Sequence, residues 1–179
     1  LGLDVHTGIG GTGVVVNLKV GDGKRIIGLR ADMDCITLDE KGEHDHISQV
    51  PGKMHGCGHD GHTAALMGAA ALLAERKNFN GTVRFIFQPA EEPGKGARAM
   101  MNDGLFERFP VDEIYGLHNG PSFPFGTVNT CSGIMAASED HFTIRITGRG
   151  GHASAPEQLI DPQAAAATIY LALQTIVSR

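Results

Sequence analysis

The sequence has few cysteines, no long apolar run and no excess of positive charge. Its three cysteines, Cys35, Cys57 and Cys131, are an odd number, which argues against a disulfide scaffold and favours a reducing compartment. No stretch approaches the roughly 20 apolar residues of a membrane span, and no signal peptide opens the chain. Fifteen Lys and Arg against twenty Asp and Glu give a net charge of −5, which argues against a nucleic-acid partner. We therefore predict a cytoplasmic protein that binds neither membranes nor nucleic acids.

Glycine is the residue present in excess, with 25 of the 179 residues. That share is roughly twice the usual 7% or so and indicates many tight turns, as in an active site built from loops. The length fits one domain, or one domain plus part of a second. Because the chain begins with Leu1 and ends within a predicted helix, we expect a piece of a longer protein.

Apolar, β-branched runs alternate with helical patterns through most of the chain. The predicted elements are strands over 13–20, 25–30, 81–87 and 113–118, and helices over 62–76 and 96–102. The Asp22-Gly23 turn between the first two strands predicts that they form a β-hairpin. Strands that alternate with helices indicate an α/β fold, with a mixed, partly parallel sheet flanked by helices.

The pattern changes near residue 140. Residues 141–147 alternate apolar and polar side chains, which predicts a strand in a sheet with one wet face. Asp161 and Pro162 suit the N-cap and the first position of a helix, which the Ala-rich stretch predicts to run to residue 178. We place a boundary around 132–139, which predicts one domain over 1–135 and the start of an α+β domain over 136–179.

The segment from Gly8 to Gly13 has the glycine spacing of a dinucleotide-binding loop. Such a loop needs a helix directly after it, because the pyrophosphate lies at the helix N-terminus. A Val-rich strand follows here instead. We therefore interpret the segment as a flexible turn before the hairpin.

The stretch 55–62 carries three histidines, one thiol and one carboxylate, interleaved with glycines. Thiolate, imidazole and carboxylate suit zinc and its first-row neighbours, and the glycines let Cys57 and His59 reach one site. Asp60 could accept the free N–H of a ligating histidine. The alternative is a His-rich surface loop with a bystander thiol, because the spacing is not that of a zinc finger.

Glu91-Glu92 follow the predicted strand over 81–87, and His118 ends the predicted strand over 113–118. Loops beyond the carboxyl ends of strands build the sites of α/β folds. Neighbouring side chains on an extended chain point in opposite directions, so one carboxylate could bind metal while the other acts as a general base. A solvated Glu pair and a structural histidine are the alternatives for each motif alone. Their convergence with the 55–62 stretch favours one shared metal centre.

Together these segments resemble the co-catalytic metallopeptidase family of aminoacylases, in its branch of hippurate hydrolases and auxin-conjugate (indole-acetyl-amino-acid) amidohydrolases. The resembling segments are 28–34, 52–63, 87–92 and 116–119. The segment 150–156 resembles the start of that family's inserted lid, or dimerisation, domain. The resemblance implies a zinc-peptidase-like catalytic domain followed by the start of this lid domain.

The resemblance also implies roles for single residues. The metal-ligand positions of a two-metal site are matched by Cys57, His59, Glu92 and His118. Glu91 matches the general base, and Asp32 and Asp34 fall in a motif beside the metal centre. His152 matches a lid histidine that reaches the partner subunit's active site, and Asn119 is expected to contact substrate. Two divalent ions (Zn, Mn, Co or Ni), a homodimer and a further histidine ligand from a segment after residue 179 are implied as well.

The expected activity is hydrolysis of the amide bond of an N-acyl amino acid by metal-activated water, with Glu91 as general base. Two alternatives stay open. Cys57 among histidines could be the nucleophile of a cysteine hydrolase. The chain could also be a metal-binding or dimerising relative, or a fragment, without activity.

Overall fold

A five-stranded mixed sheet lies at the centre of the computed structural model, which describes residues 1–176. Its strands are β1 (Asp4–Ile9), β2 (Gly13–Val20), β3 (Ile26–Asp32), β4 (Gly81–Gln88) and β5 (Glu113–Gly116). They lie in the order β1-β2-β4-β3-β5. The pairs β1/β2 and β2/β4 are antiparallel, whereas β3 runs parallel to both β4 and β5. The predicted mixed, partly parallel sheet is therefore confirmed.

The predicted hairpin between β2 and β3 is wrong, because β4 lies between these two strands. Leu18 of β2 pairs with Val83, and Leu29 of β3 pairs with Phe85. The backbone N–H of Gly23 donates to Asn80 Oδ1 at 2.7 Å, so the turn is tied to the residue that precedes β4. Because β4 offers a buried, apolar ladder to both strands, it displaces the local pairing that the turn favours.

The glycine segment closes a different hairpin, between β1 and β2. The N–H of Gly11 donates to the Gly8 carbonyl at 3.2 Å, and Ile9 pairs with Gly13. At Gly10, where φ is +63°, an added Cβ would lie 2.5 Å from the Met100 nitrogen. The turn thus packs closely against the backbone at Met100. A strand rather than a helix follows it.

Helices cover both faces of the sheet. They are α1 (His59–Arg76), α2 (Gly96–Asn102) and α3 (Leu105–Arg108). On one face Val16 and Phe85 pack with Leu66 of α1. On the other face Val15 and Ile86 pack with Met100, Leu105 and Phe109. Neighbouring strand residues thus enter different cores, as the two-residue period of a strand requires. Between residues 1 and 176, no helix has both the length and the apolar character that crossing a membrane would take.

The chain divides into two compact units, Leu1–Thr127 and a second that begins at Val128. In the second unit, Asp161 caps α4 (Pro162–Leu173) by accepting the N–H of Gln163 at 2.8 Å, as predicted. The helix ends at Leu173, and the last residues of its predicted extent, 177 and 178, lie outside the described part of the chain. The boundary at 135 and the assignment of the two parts to catalytic and lid domains stay predictions.

The strand predicted over 141–147 does not form. Within residues 128–176 the pairing between strands is limited to one isolated bridge, Arg149 with Ile160. A strand is stable only when a neighbour satisfies its backbone N–H and C=O groups. The alternating pattern indicates which side chains of a strand would face solvent and which would face a core, but it does not show that a neighbouring strand is available for pairing.

Candidate metal centre

The candidate residues follow the carboxyl ends of three parallel strands. The strand ends are level, because Asp32 pairs with Gln88 at the end of β4, and Arg30 pairs with Gly116 at the end of β5. Three segments leave this edge and carry the predicted side chains: Asp32 and Asp34, then Glu91 and Glu92, then His118. Cys57 and His59 enter the same region from the start of α1. The edge is the usual place for a site in an α/β sheet.

Gly58 makes it possible for Cys57 and His59 to reach one site. It is the N-cap of α1 and has φ +86°, a left-handed conformation that favours glycine. An added Cβ would lie 2.6 Å from the side-chain nitrogen of Asn119. Both the backbone conformation and the close approach therefore require glycine between the two predicted ligands.

His59 is the centre of the cluster, and only 1% of its surface is exposed. Its Nδ1 donates to the Asp34 carbonyl at 3.0 Å, so the lone pair of the neutral ring is on Nε2. That Nε2 has no hydrogen-bond partner among residues 1–176. Its nearest carboxylate oxygens belong to Asp32 at 3.6 Å, Glu91 at 3.7 Å and Glu92 at 3.9 Å.

The surroundings of His59 Nε2 fit a cation. A buried lone pair that faces carboxylates is repelled by them and also lacks a hydrogen bond, which costs roughly 1–3 kcal/mol. A divalent ion would bind the imidazole nitrogen and the carboxylate oxygens together, which turns the repulsion into coordination. The residues present therefore suit a metal ion.

Cys57 and His118 complete the cluster on its other side. Cys57 Sγ lies 3.5 Å from His118 Nε2, while His118 Nδ1 donates to the Asn119 carbonyl at 2.8 Å. The donor atoms of Cys57, His59 and His118 all lie within 4.8 Å of one another, and so do those of His59, Glu91 and Glu92. The four predicted ligands and the predicted base thus form two overlapping groups that share His59. Residues far apart in the chain meet at one place.

The surroundings at the site shift the pKa values of Cys57 and Asp32 in opposite directions. Burial raises the pKa of the Cys57 thiol, and the negative charges of Glu92 and Glu91 raise it further. Burial by itself would raise the pKa of Asp32, but the hydrogen bond to His62 and the charge of Arg30 outweigh it and hold that pKa below its ordinary value. Asp32 is therefore a carboxylate at neutral pH, whereas Cys57 needs a cation to become a thiolate.

His62 is a residue whose part in the site the sequence did not predict. It is buried, and its Nδ1 lies 2.6 Å from Asp32 Oδ1. The backbone N–H of Asn119 donates to its Nε2 at 2.9 Å, and Asn119 Oδ1 lies 2.5 Å from the same nitrogen. The three-residue spacing from His59 on one helix was the signal available, because such residues share a helix face.

Asp60 does not make the contact that the sequence predicted. It is exposed in the first turn of α1, and no hydrogen bond joins it to a histidine of the described chain. The carbonyl of Asp34 holds His59 instead, because the residue after His59 projects from another side of the helix. Asp34 also reaches the segment that carries Glu91 and Glu92, since its Oδ2 accepts the N–H of Glu92 at 3.1 Å.

Two further predicted residues lie in different surroundings. Asn119 is exposed and contacts His62 through both its backbone and its side chain. His152 belongs to the second unit, where it is exposed and its Nδ1 lies 2.8 Å from Ser154 Oγ. The roles predicted for both residues, toward substrate and toward a partner subunit, stay predictions.

Residues 28–177 match Peptidase family M20/M25/M40. The chain belongs to this family. It is 49% identical to a hippurate hydrolase of Campylobacter jejuni, over 99% of this chain and 46% of that protein. It is 46% identical to an N-acetylcysteine deacetylase of Bacillus subtilis, over 94% of this chain and 44% of that protein. The chain thus spans less than half the length of these curated relatives.

A solved family member has the same fold. It is the YXEP protein of Bacillus subtilis, described as a dinuclear metal-binding peptidase of the M20 family. The TM-score is 0.65 at 40% identity, with 69% of this chain and 35% of that chain covered. The family membership and the α/β fold that the motifs predicted are therefore confirmed.

Proposed function

We propose that the full-length protein is a metal-dependent amidohydrolase that cleaves the amide bond of small N-acyl amino acids. The observation that carries the proposal is the buried His59 Nε2, which has no hydrogen-bond partner in the described part of the chain and faces the carboxylates of Glu91 and Glu92. The substrate class follows from the names of relatives, a hippurate hydrolase and an N-acetylcysteine deacetylase. Hippurate-like conjugates are the first substrates to try.

Four residues of this chain would hold two divalent ions: Cys57, His59, Glu92 and His118. Two ions agree with the dinuclear relative, and the mixture of thiolate, imidazole and carboxylate suits Zn, Mn, Co or Ni. When bound, such ions polarise a carbonyl group and lower the pKa of water toward about 7. The carboxylates of Asp32 and Asp34 lie beside these ligands and make the electrostatic potential there more negative, which also favours a cation.

Glu91 is the proposed general base. Its Oε2 lies 3.7 Å from His59 Nε2, and 42% of its side chain is exposed, so it can meet substrate and water. The side chain of Glu92 is 32% exposed, although the whole residue is more exposed than Glu91, and its backbone N–H is held by Asp34. Glu91 would accept a proton from the attacking water and return it to the amine nitrogen as the amide C–N bond breaks. His152, from the lid of the other subunit of a homodimer, would steady the carbonyl oxygen.

Paired substitutions test these two roles. We expect Glu91→Gln in the full-length protein to keep its metal and to lose about 10²–10⁴ in kcat, because only proton transfer is removed. Glu92→Gln should instead lose metal, because a neutral amide is a poorer ligand. Metal analysis and hydrolysis of hippurate measure both effects. Unchanged turnover in Glu91→Gln would remove this residue from the role of base.

Chelation separates the proposal from its alternatives. A metalloenzyme loses activity in EDTA and regains it with added metal. A cysteine hydrolase keeps its activity in EDTA and loses it when its catalytic thiol is alkylated. The raised pKa of Cys57 opposes the cysteine-hydrolase alternative, because a nucleophilic cysteine needs a lowered pKa. Stoichiometric metal without hydrolysis of any acyl amino acid would favour a non-catalytic metal-binding or dimerising protein.

The cytoplasmic location stays part of the proposal. Its basis is that Cys35, Cys57 and Cys131 are all free thiols, as in a reducing compartment.

A further inference from the structure

His62 joins three segments of the site without being one of its predicted ligands. It lies on α1, its Nδ1 reaches Asp32 at the end of β3, and its Nε2 meets Asn119 beyond β5. A backbone N–H can only donate, so Nε2 accepts it, and the proton on Nδ1 is donated to Asp32 Oδ1. Only 4% of His62 is exposed, so these bonds are sheltered from water.

The segment that carries His118 has little other support. Strand β5 is four residues long and lies at the edge of the sheet, paired with β3. His118 and Asn119 are both exposed. Asn119 nevertheless donates its backbone N–H to His62 Nε2 at 2.9 Å, and its carbonyl accepts the Nδ1 hydrogen of His118 at 2.8 Å. The His62 and His118 rings also meet edge to face, with centroids 4.5 Å apart.

The opposite side of the cluster has anchors other than His62. Asp34 Oδ2 holds the backbone of Glu92 at 3.1 Å, and the Asp34 carbonyl holds His59. Asp32 keeps a second anchor, because Arg30 donates to its Oδ2 at 2.8 Å. Loss of His62 would therefore displace His118 and leave the group of His59, Glu91 and Glu92 in place.

We propose that His62 is a positioning residue that orients His118 through Asn119 and thereby sets the affinity of the metal position formed with Cys57. The position formed with Glu92 is independent of it. This inference rests on the proposed two-metal centre. A hydrogen-bonding partner behind a ligand typically contributes about 10–100-fold to metal affinity. His62 supplies this support to a ligand that its own strand holds weakly.

The experiment titrates full-length protein with buffered Co²⁺ and compares His62→Gln with Thr63→Val. Glutamine keeps a polar side chain of similar length, but it lacks the rigid ring whose two nitrogens bond Asp32 and Asn119 together. Thr63→Val is the matched control, because it removes another hydrogen bond between α1 and Asp32, that from Thr63 Oγ1 to the Asp32 carbonyl at 3.0 Å. Total cobalt gives the stoichiometry, and the thiolate-to-cobalt absorption band reports the position that contains Cys57.

We expect the unmodified protein and Thr63→Val to bind two equivalents. In His62→Gln, the site that gives the thiolate band should fill at a free Co²⁺ concentration about 10–100-fold higher. The free Co²⁺ concentration that fills the other site should change by less than about threefold. Equal shifts of both equivalents, or of neither, in a variant with native circular dichroism would overturn the inference. If His62→Gln does not fold, His62→Asn must show the same selective shift, about threefold or more, because the shorter amide places no atom where His62 Nε2 accepts the Asn119 N–H.

Failure of the inference and failure of the proposed function give different results. If the unmodified protein binds two Co²⁺ and hydrolyses acyl amino acids while His62→Gln binds both normally, the role of His62 alone is rejected. If the unmodified protein binds no Co²⁺, or binds it without a thiolate band, the proposed metal centre fails and the role of His62 fails with it.

Discussion

Cys57 shows how one residue can depend on an ion for its chemical state. Its thiol is partly buried and lies beside Glu92 and Glu91, and both conditions raise its pKa above the ordinary value. A metal ligand must be a thiolate, so binding of a cation has to displace the thiol proton. The surrounding carboxylates oppose ionisation when the thiol is alone and stabilise the cation once it binds.

Metal uptake near pH 7 should therefore release about one proton from Cys57, and affinity should fall as the pH is lowered and protons compete. Calorimetry in buffers of different ionisation enthalpy counts the released protons. Cys57→Ser should release about one proton fewer than the unmodified protein. Cys131→Ser, which changes an exposed thiol of the second unit, should release the same number of protons as the unmodified protein. Equal proton release in all three proteins would exclude Cys57 as the ionising ligand.

At the scale of elements, β4 organises both the core and the site. It pairs with β2 on one side and β3 on the other, and its end carries Glu91 and Glu92 into the cluster. Phe85, at its middle, is fully buried among Val16, Leu66 and their neighbours. Packing of this strand therefore controls both stability and the placement of the carboxylates.

We expect Phe85→Ala to lower the free energy of unfolding by about 3–5 kcal/mol, because it leaves a cavity in a close-packed core. Phe125→Ala is the matched control, since Phe125 is fully exposed in the same unit and its loss should cost less than about 0.5 kcal/mol. Urea denaturation followed by circular dichroism measures both. Similar losses in the two variants would show that β4 is not at the centre of the stable core.

At the scale of the whole molecule, α4 displays apolar side chains. Tyr170 and Leu171 are 64% and 67% exposed, and Ile160 just before the helix is 53% exposed. Exposed apolar surface of this kind marks an interaction site. In the proposed homodimer we expect this helix to form part of the interface, and we expect His152, in the same unit, to reach the other subunit.

Sedimentation of the full-length protein should therefore show a dimer, and Leu171→Glu should weaken it by at least about tenfold in dissociation constant, because a charge enters an apolar contact. Gln163→Glu adds the same charge in the first turn of α4, where a helix tolerates acids, and should leave the dimer intact. A monomer at all concentrations, or a dimer that Leu171→Glu does not affect, would remove α4 from the interface.

Local signals in the sequence predicted much of the fold. The helix over 96–102 lies at its predicted residues, and α1 begins three residues before its predicted start, at His59. The difference arises because Gly58 takes a left-handed N-cap conformation, which the helical pattern of 62–76 does not encode. Composition and capping are properties of neighbouring residues, so they can be interpreted without knowing the rest of the molecule.

Which segments meet was decided by the tertiary structure. The sequence by itself determined the ligand-type residues, their glycine spacing and the family to which they belong. The order of the strands, with β4 between β2 and β3, depends on competition between distant segments for the same hydrogen bonds. The same holds for the placement of His62 between Asp32 and Asn119, and for Asp34 rather than Asp60 behind His59. Such contacts join residues that are remote in the chain, and their energies exist only when the chain has folded.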